Sequence, residues 1–460
     1  MKKETILKDD KLEEIKRAGG NIARFLSISP SFEERHVNIG EGYESEGDIR
    51  KDVVALIKAS KGKSVNIRSF SETSMKSSRF VYGKRLEDIN EIMEILKENC
   101  SEGKYSIVNE TIDVNDGGVS GVLLNNIIEF APNDTPRCVE KPGSCRMERG
   151  MGLHMLETVY GFYPATDMPQ NYRTEFSLHP SREGLLGENT VVWEFEEFPA
   201  EKMEVRMEWP NRFSKFIGDK AFGLIVADYL GFNVPKTTVI ARNVPPFTFG
   251  KDTGLNETWI RTAPIVKEPG KYFTGDRWQD PFELMAQEEG KGEKDINIAS
   301  ILSQKAVEAL YSGGAIVGNS EKEDLIESVK GKGDDFMTGK YEEEISKEAS
   351  VALKAEMERL RAFAPLLGNV SIEWVYDGKQ IWIVQLNQIR DASDGHTIVK
   401  GKASRYEKFD VLLGLEALRE KIRDIEKGTG IELVGEVGIS SHFGDLLRQA
   451  QVPSFIKRKK

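Results

Sequence analysis

Four polar side chains on one short hairpin carry the clearest chemical signal in the sequence. Ser371 and Glu373 lie on one run, Gln385 and Asn387 on the next, with Asp377-Gly378 as the turn between. Side chains alternate between the two faces of a strand. Parity therefore places Ser371 and Glu373 on one face, and Ile372 and Trp374 on the other. On the return run it places Gln385 and Asn387 on one face, and Trp382, Val384 and Leu386 on the other. Ile381 and Ile383 fall on the Gln385 face, so the polar groups gather at one end. A carboxylate beside an amide oxygen suits magnesium, which takes one or two protein oxygens and fills its remaining positions with phosphate and water. A half-exposed hairpin with a polar outer face gives the same pattern, so parity alone leaves both readings open.

The elements that must position this hairpin are mixed. The patterning predicts a helix near Lys11–Leu26, interrupted by Gly19-Gly20, a strand at Ser64–Ser69, and a helix around Leu86–Lys97. It then predicts a strand pair, Tyr105–Ile112 and Val119–Leu124, joined by the turn signal Asn115-Asp116-Gly117-Gly118, and two further strands at Thr174–Leu178 and Thr190–Phe195. The charged stretch Glu196–Pro210 reads as a boundary. After it come a helix at Lys220–Leu230 and strands at Thr237–Ile240, Thr258–Ile265 and Ala315–Val317, with a helix at Ile298–Leu310. A charged helix at Lys347–Ala364, the hairpin strands Val370–Tyr376 and Gln380–Leu386, a helix at Lys408–Glu426, a short strand and a helix around Phe443–Ala450 complete the chain. Helices and strands in mixed order with antiparallel hairpins predict an α+β fold.

Composition narrows the class. The chain has 460 residues, 39% hydrophobic and 30% charged, which fits two or three globular domains. A formal net charge of −11 argues against nucleic acid as a partner, and Lys457, Arg458, Lys459 and Lys460 read as a solvated basic end. Three cysteines, Cys100, Cys138 and Cys145, are too few and too oddly spaced for a disulfide scaffold or a zinc site. The opening MKKETILKDDKLEE has no apolar run behind its charge, and no stretch approaches the ~20 apolar residues of a membrane helix. The expectation is a cytoplasmic protein without membrane contact.

The hairpin then gains a context. Ile372-Glu373-Trp374, Asp377-Gly378-Lys379 and Ile381-Trp382-Ile383-Val384-Gln385 resemble the closing hairpin of the ATP-grasp domain of pyruvate phosphate dikinase and phosphoenolpyruvate synthase. The resemblance implies magnesium binding by Glu373 and Gln385. Upstream, Ile217-Gly218-Asp219-Lys220-Ala221-Phe222-Gly223-Leu224 and Leu230-Gly231-Phe232-Asn233-Val234-Pro235 resemble the opening of the same domain. That implies phosphate contact by Lys220, whose compact ammonium suits phosphate oxygens, while Gly218 lets the backbone come close. Trp259-Ile260-Arg261-Thr262 resembles the strand whose arginine meets the phosphates. Ser303-Gln304-Lys305-Ala306-Val307 resembles the hinge that borders adenine, which implies roles for Gln304, Lys305 and Val307. Ser312-Gly313-Gly314-Ala315 and Glu327, Gly331, Gly333 and Gly339 resemble the glycine pattern that follows. Two positions depart from the family: Ser371 stands where it has aspartate, and Asn387 where it has arginine, with Arg390 as a candidate substitute.

Two other segments resemble the same enzymes. Val65–Ser69, Ile107–Ile112 and Val119–Leu123 echo the middle motifs, although Asn21 stands where a lysine is expected after Gly19-Gly20 and no Glu-Trp…Gln hairpin follows. This half reads either as a degenerate copy or as the donor of Arg68 to a composite site. Arg173, Glu175 and His179 in RTEFSLHP form a polar strand, either a substrate pocket or a solvated face. Near the end, Gly438-Ile439-Ser440-Ser441-His442-Phe443-Gly444-Asp445 resembles the phosphohistidine motif, with His442 just before a helix, where imidazole chemistry and the helix N-terminus favour a phosphoryl group. The other histidines, His36, His154, His179 and His396, read as structural.

The expected organisation is an N-terminal α/β domain over residues 1–205, an ATP-grasp domain over 206–392 and a short C-terminal segment over 393–460. The expected function is an ATP- and magnesium-dependent phosphotransferase, with Lys220, Arg261 and His442 in the catalysis. Its acceptor would be an unidentified small molecule or protein, and a homo-oligomer or a partner protein is compatible. The rival is an ATP-binding sensor or scaffold without turnover.

Overall fold

The computed structural model describes residues 7–72, 74–136, 139, 141–164, 172–199, 201–291, 296–333, 344–389 and 397–457. The chain divides into two compact units. The first comprises residues 1–144, 148–153 and 163–203; the second comprises 145–147, 154–162 and 204–460. Both mix helices with antiparallel sheets, so the α+β class expected from the sequence is the class observed. No helix among the described residues is long and apolar enough to cross a membrane.

In the first unit, strands Phe25–Ile28 (β1), Glu34–Asn38 (β2), Ser64–Ser71 (β3), Ser74–Arg85 (β4) and Tyr105–Glu110 (β5) form one sheet in the order β2-β1-β5-β3-β4. Strands Val119–Leu124 (β6), Ile127–Pro132 (β7), Tyr172–Glu183 (β9) and Glu188–Glu197 (β10) lie in the order β7-β6-β9-β10; Cys145–Glu148 is β8. In the second unit, Thr237–Ala241 (β11), Phe247–Phe249 (β12), Thr258–Pro264 (β13), Thr274–Gly275 (β14) and Ile298–Lys305 (β15) run β12-β11-β15-β13-β14. Tyr311–Val317 (β16), Leu325–Lys330 (β17), Val370–Tyr376 (β18) and Ile381–Gln388 (β19) run β17-β16-β18-β19. Counted within its own unit, each pair of sheets follows one permutation, and every pairing in both is antiparallel. Thr397–Val399 (β20), Arg405–Asp410 (β21), Thr429–Val434 (β22) and Ser454–Lys457 (β23) form a separate sheet in the order β20-β23-β22-β21. Its core includes Phe409, Leu433 and Phe443, and it also takes in Ile316 of β16.

Four sequence expectations need correction. Residues 298–305 form a strand, not a helix. Five consecutive side chains from Ile298 to Leu302 are buried, so this central strand has apolar neighbours on both faces and lacks the period-2 signature; Ile298, Ile301 and Leu302 then mimic helical spacing. Residues 408–426 split into β21 and a helix at Gly414–Asp424. The first helix ends at Arg17, since Gly19 takes φ +85°, and residues 25–28 are a strand. Strands β5 and β6 are not a hairpin: β5 pairs with β1 and β3, and β6 with β7 and β9. Cys100 and Cys145 are free thiols; Cys138, Gly339, Arg390 and His396 lie outside the described residues.

Candidate functional site

The β18–β19 hairpin obeys parity on its first strand and breaks it on the second. Along β18 the burial alternates from Val370 to Tyr376, with Ile372 and Trp374 inside and Ser371 and Glu373 half-buried. Glu373 pairs with Gln385, but Trp374 pairs with Ile383, so Val384 is the extra residue of a bulge. The bulge turns Ile381 and Ile383 to the Trp374 face and brings Trp382 opposite Val375. Gln385 is thereby freed of the apolar neighbours that simple alternation gives it. Asn387 lies opposite Ser371, as parity requires.

Arg261 is the hub of the site. It projects from β13, is buried, and its Nη2 donates to Glu373 Oε2 at 2.7 Å and to Gln385 Oε1 at 2.9 Å. Its Nη1 donates to the carbonyl of the bulged Val384 at 2.6 Å and, at 3.5 Å, to Gln304 Oε1. Two oxygens of different strands thus converge on one cationic nitrogen. One carboxylate oxygen and one amide oxygen therefore meet at a single positive centre, a donor set of the kind a hard dication takes beside phosphate.

Lys220 sits at the start of helix Asp219–Tyr229, beside Gly218 at φ +94°. A side chain at Gly218 would put its Cβ 2.5 Å from Ser300 Oγ and 2.8 Å from Ala263 Cβ, so only glycine lets the helix start lie this close to the sheet. Lys220 Nζ donates to the Thr262 carbonyl at 2.8 Å. Burial, reinforced by the Arg261 charge and opposed by Glu373, pulls its pKa down to about 7. Lys220 and Arg261 together give the cleft an incompletely neutralised positive charge, which is what a polyphosphate needs.

His442 opens the helix His442–Ala450 and lines the same cleft, of about 430 Å³, as Lys220, Arg261, Glu373 and Gln385. Its Nδ1 is buried with no hydrogen-bond partner among the described residues. Burial lowers its pKa, against the upward pull of Asp445 and Glu373, so the imidazole is neutral and nucleophilic near neutral pH. Asp445, one turn on, pairs with Lys267 at 3.0 Å. Burial raises its pKa, but Lys267 and Arg448 outweigh that and hold it at about 2. The loop before His442 is fixed by the buried carboxylate of Glu327 on β17, which accepts from Ile439 N at 2.6 Å, Ser440 N at 2.8 Å and the Ser440 hydroxyl.

The eight residues that the resemblance assigns to the nucleotide, the metal and the phosphohistidine, Lys220, Arg261, Gln304, Lys305, Val307, Glu373, Gln385 and His442, line one cleft; Ser371 and Asn387 are not part of its lining. Gln304 is buried and its amide donates to Thr237 Oγ1 at 3.2 Å. The Lys305 and Ala306 N–H groups are spent on the carbonyls of Lys236 and Glu257. Sequence reasoning missed Lys267 and Asp445, and it placed Glu327 only in a glycine pattern. Asp445 lay in the quoted histidine motif, three residues past His442; Lys267 and Glu327 had no local signal. In the first unit, Arg173 pairs with Glu175 at 2.7 Å, and His179 joins Asp116 at 2.9 Å to Ser177 at 2.8 Å. Ser177 and His179 are buried, so this part of RTEFSLHP is an interior polar network rather than a solvated face.

No family model matches the chain, and no curated protein matches it in sequence. Among solved structures the chain is similar to D-cycloserine synthetase DcsG, at 12% identity and a TM-score of 0.25, over 42% of this chain and 63% of that one. It is similar to D-alanine–D-alanine ligase from Bacillus anthracis complexed with ATP, at 13% identity and 0.25, over 37% and 55%. It is also similar to a RimK domain protein ATP-grasp from Sphaerobacter thermophilus, at 14% identity and 0.23, over 38% and 58%. The chain therefore spans less than two-thirds of each of these proteins. Scores this low carry no argument about chemistry; the α+β architecture rests on the strand order above.

Proposed function

We propose that residues 206–392 form an ATP-grasp type site for ATP and magnesium, and that the chain is a phosphotransferase using His442 as the intermediate acceptor. The observation that carries this reading is the meeting of His442, with its unpartnered buried Nδ1, and the Lys220–Arg261–Glu373–Gln385 group in one cleft. Lys220 and Arg261 would bind phosphate oxygens. Glu373 and Gln385 would hold magnesium, which when bound screens charge on the phosphates. An imidazole nitrogen of His442 donates its electron pair to phosphorus, the bond from phosphorus to the leaving nucleotide oxygen breaks with its pair going to that oxygen, and the ring N–H proton is released. Positioning and charge stabilisation account for most of such a step, and these side chains supply both. The final acceptor, a small molecule or a protein, would then take the phosphoryl group from His442.

The test is incubation with magnesium and ATP labelled at the β or the γ phosphate. The expected result is acid-labile, base-stable label on the protein that disappears in His442→Ala. Ser371 and Asn387, facing each other where the resemblance gives an aspartate and an arginine, favour a second reading, a nucleotide sensor without turnover. Tight ATP binding with no label and no hydrolysis would establish that reading and refute the first.

A further inference from the structure

The first unit repeats the second in more than strand order. Lys8 precedes Gly19 by the same eleven residues that separate Lys220 from Gly231, and both glycines take positive φ, +85° and +82°. Asn21 and Asn233 each follow two residues later, and their carbonyls accept from Val192 N and Ile383 N, on β10 and β19. On the third strand of each unit Ile67-Arg68-Ser69 takes the place of Ile260-Arg261-Thr262, as the register against the fifth strand fixes: Val65 pairs with Glu110 as Thr258 pairs with Lys305, and Arg68 with Ile107 as Arg261 with Leu302. On the closing hairpin Glu175 pairs with Glu194 as Glu373 pairs with Gln385. A bulge falls at Trp193, where the second unit has Val384.

The hydrogen bonds repeat with the backbone. Arg68 Nη2 donates to the carbonyl of the bulged Trp193 at 3.3 Å, as Arg261 does to Val384, and Arg68 Nη1 pairs with Glu194 at 3.1 Å, as Arg261 does with Gln385. Lys8 Nζ also pairs with Glu194. In each arginine Nε is buried without a partner among the described residues. Lys8, Arg68 and Glu194 keep 11–15% of their side-chain surface exposed, and Arg261 and Glu373 keep 10% and 24%, so neither set is sealed from solvent. The first unit thus keeps a lysine, an arginine and two carboxylates at the four places where the second unit has Lys220, Arg261, Glu373 and Gln385, each still open to solvent at its edge.

We propose that the first unit holds a second anion and cation site, built from Lys8, Arg68, Glu175 and Glu194, for a triphosphate chelated to magnesium. This rests on the reading of the Lys220–Arg261–Glu373–Gln385 group as a magnesium–nucleotide site. Lys8 and Arg68 take phosphate oxygens, and Glu175 with Glu194 offers two carboxylates where the second unit has one carboxylate and one amide. Equilibrium dialysis of the full chain against magnesium–ATP counts the sites. Two nucleotides per chain are expected, with one remaining in Lys8→Met and one in Lys220→Met. Glu175→Gln, which keeps the side-chain shape if Lys8→Met fails to fold, weakens one of the two sites at least tenfold. One nucleotide per chain, lost in Lys220→Met and unchanged in Lys8→Met and Glu175→Gln, overturns the proposal and leaves the second-unit reading standing. One nucleotide lost in Lys8→Met and kept in Lys220→Met upholds the proposal and overturns that reading. No bound nucleotide in the wild type overturns both.

Discussion

The two units place the same kinds of side chain on the same strands and treat their charge differently. In the first, Lys8 and Arg68 both end on Glu194. In the second, Arg261 ends on Glu373 and Gln385, while Lys220 donates, among the described residues, to the Thr262 carbonyl and has a pKa drawn down to about 7. Exchange of a carboxylate for an amide at one hairpin position, Glu194 against Gln385, leaves the second cleft short of negative charge. The unit that leaves its cations less neutralised is also the one that places a neutral imidazole, His442, in the cleft.

Removing each unit's hairpin carboxylates tests this contrast with the largest effect. Glu373→Ala leaves the buried Arg261 without its carboxylate and should lower stability by about 3 kcal/mol, the scale for breaking a buried ion pair. Glu175 instead pairs with Arg173, and Arg68 keeps Glu194, so Glu175→Ala should cost less, about 1.5 kcal/mol, the scale of one hydrogen bond to a charged group. Thermal melts of the two variants side by side check the difference; equal losses would mean that the two arginines are held alike. Next in size is Glu327→Ala. It strips three donors of their acceptor, and about 2 kcal/mol is expected from donors left unsatisfied. The loop that ends on His442 should loosen, so labelling of His442 should slow at least tenfold while nucleotide affinity stays within twofold. Equal loss of affinity and labelling would show general unfolding instead.

Gln385→Glu copies the first unit into the second. The added carboxylate should raise the Lys220 pKa, which the pH dependence of lysine modification reads out; an unchanged profile would separate Gln385 from Lys220. The smallest effect concerns protons. Free Lys220, with its pKa at about 7, is mostly neutral at pH 8. A bound triphosphate favours the charged ammonium and raises that pKa, so binding at pH 8 should take up to about one proton from the buffer. Calorimetry in two buffers of different ionisation enthalpy measures this uptake, and it should vanish in Lys220→Met.

The hairpin was legible because its turn and alternation are local: β18 runs Val370–Tyr376, the span expected, and Glu373 and Gln385 face each other. The Val384 bulge was not, since one extra residue leaves no mark in composition. Strand β15 was misread because burial on both faces erases its period. The first unit's site escaped notice for a different reason. The resemblance points to a lysine after Gly19-Gly20, whereas Lys8 stands a full helix earlier, and Glu175 and Glu194 belong to no Glu-Trp…Gln pattern. Only the strand register aligns them with Glu373 and Gln385.

In the reading proposed above, an ammonium and a carboxylate from distant parts of the second unit hold a triphosphate around magnesium. Calorimetric titration of wild type, Lys220→Met and Glu373→Gln with magnesium–ATP tests it most directly. Saturable heat is expected for the wild type and, in each variant, loss of a contact worth roughly 1.5–3 kcal/mol, which weakens the second-unit site about 10- to 150-fold. Titrations that overlay for all three proteins would contradict it.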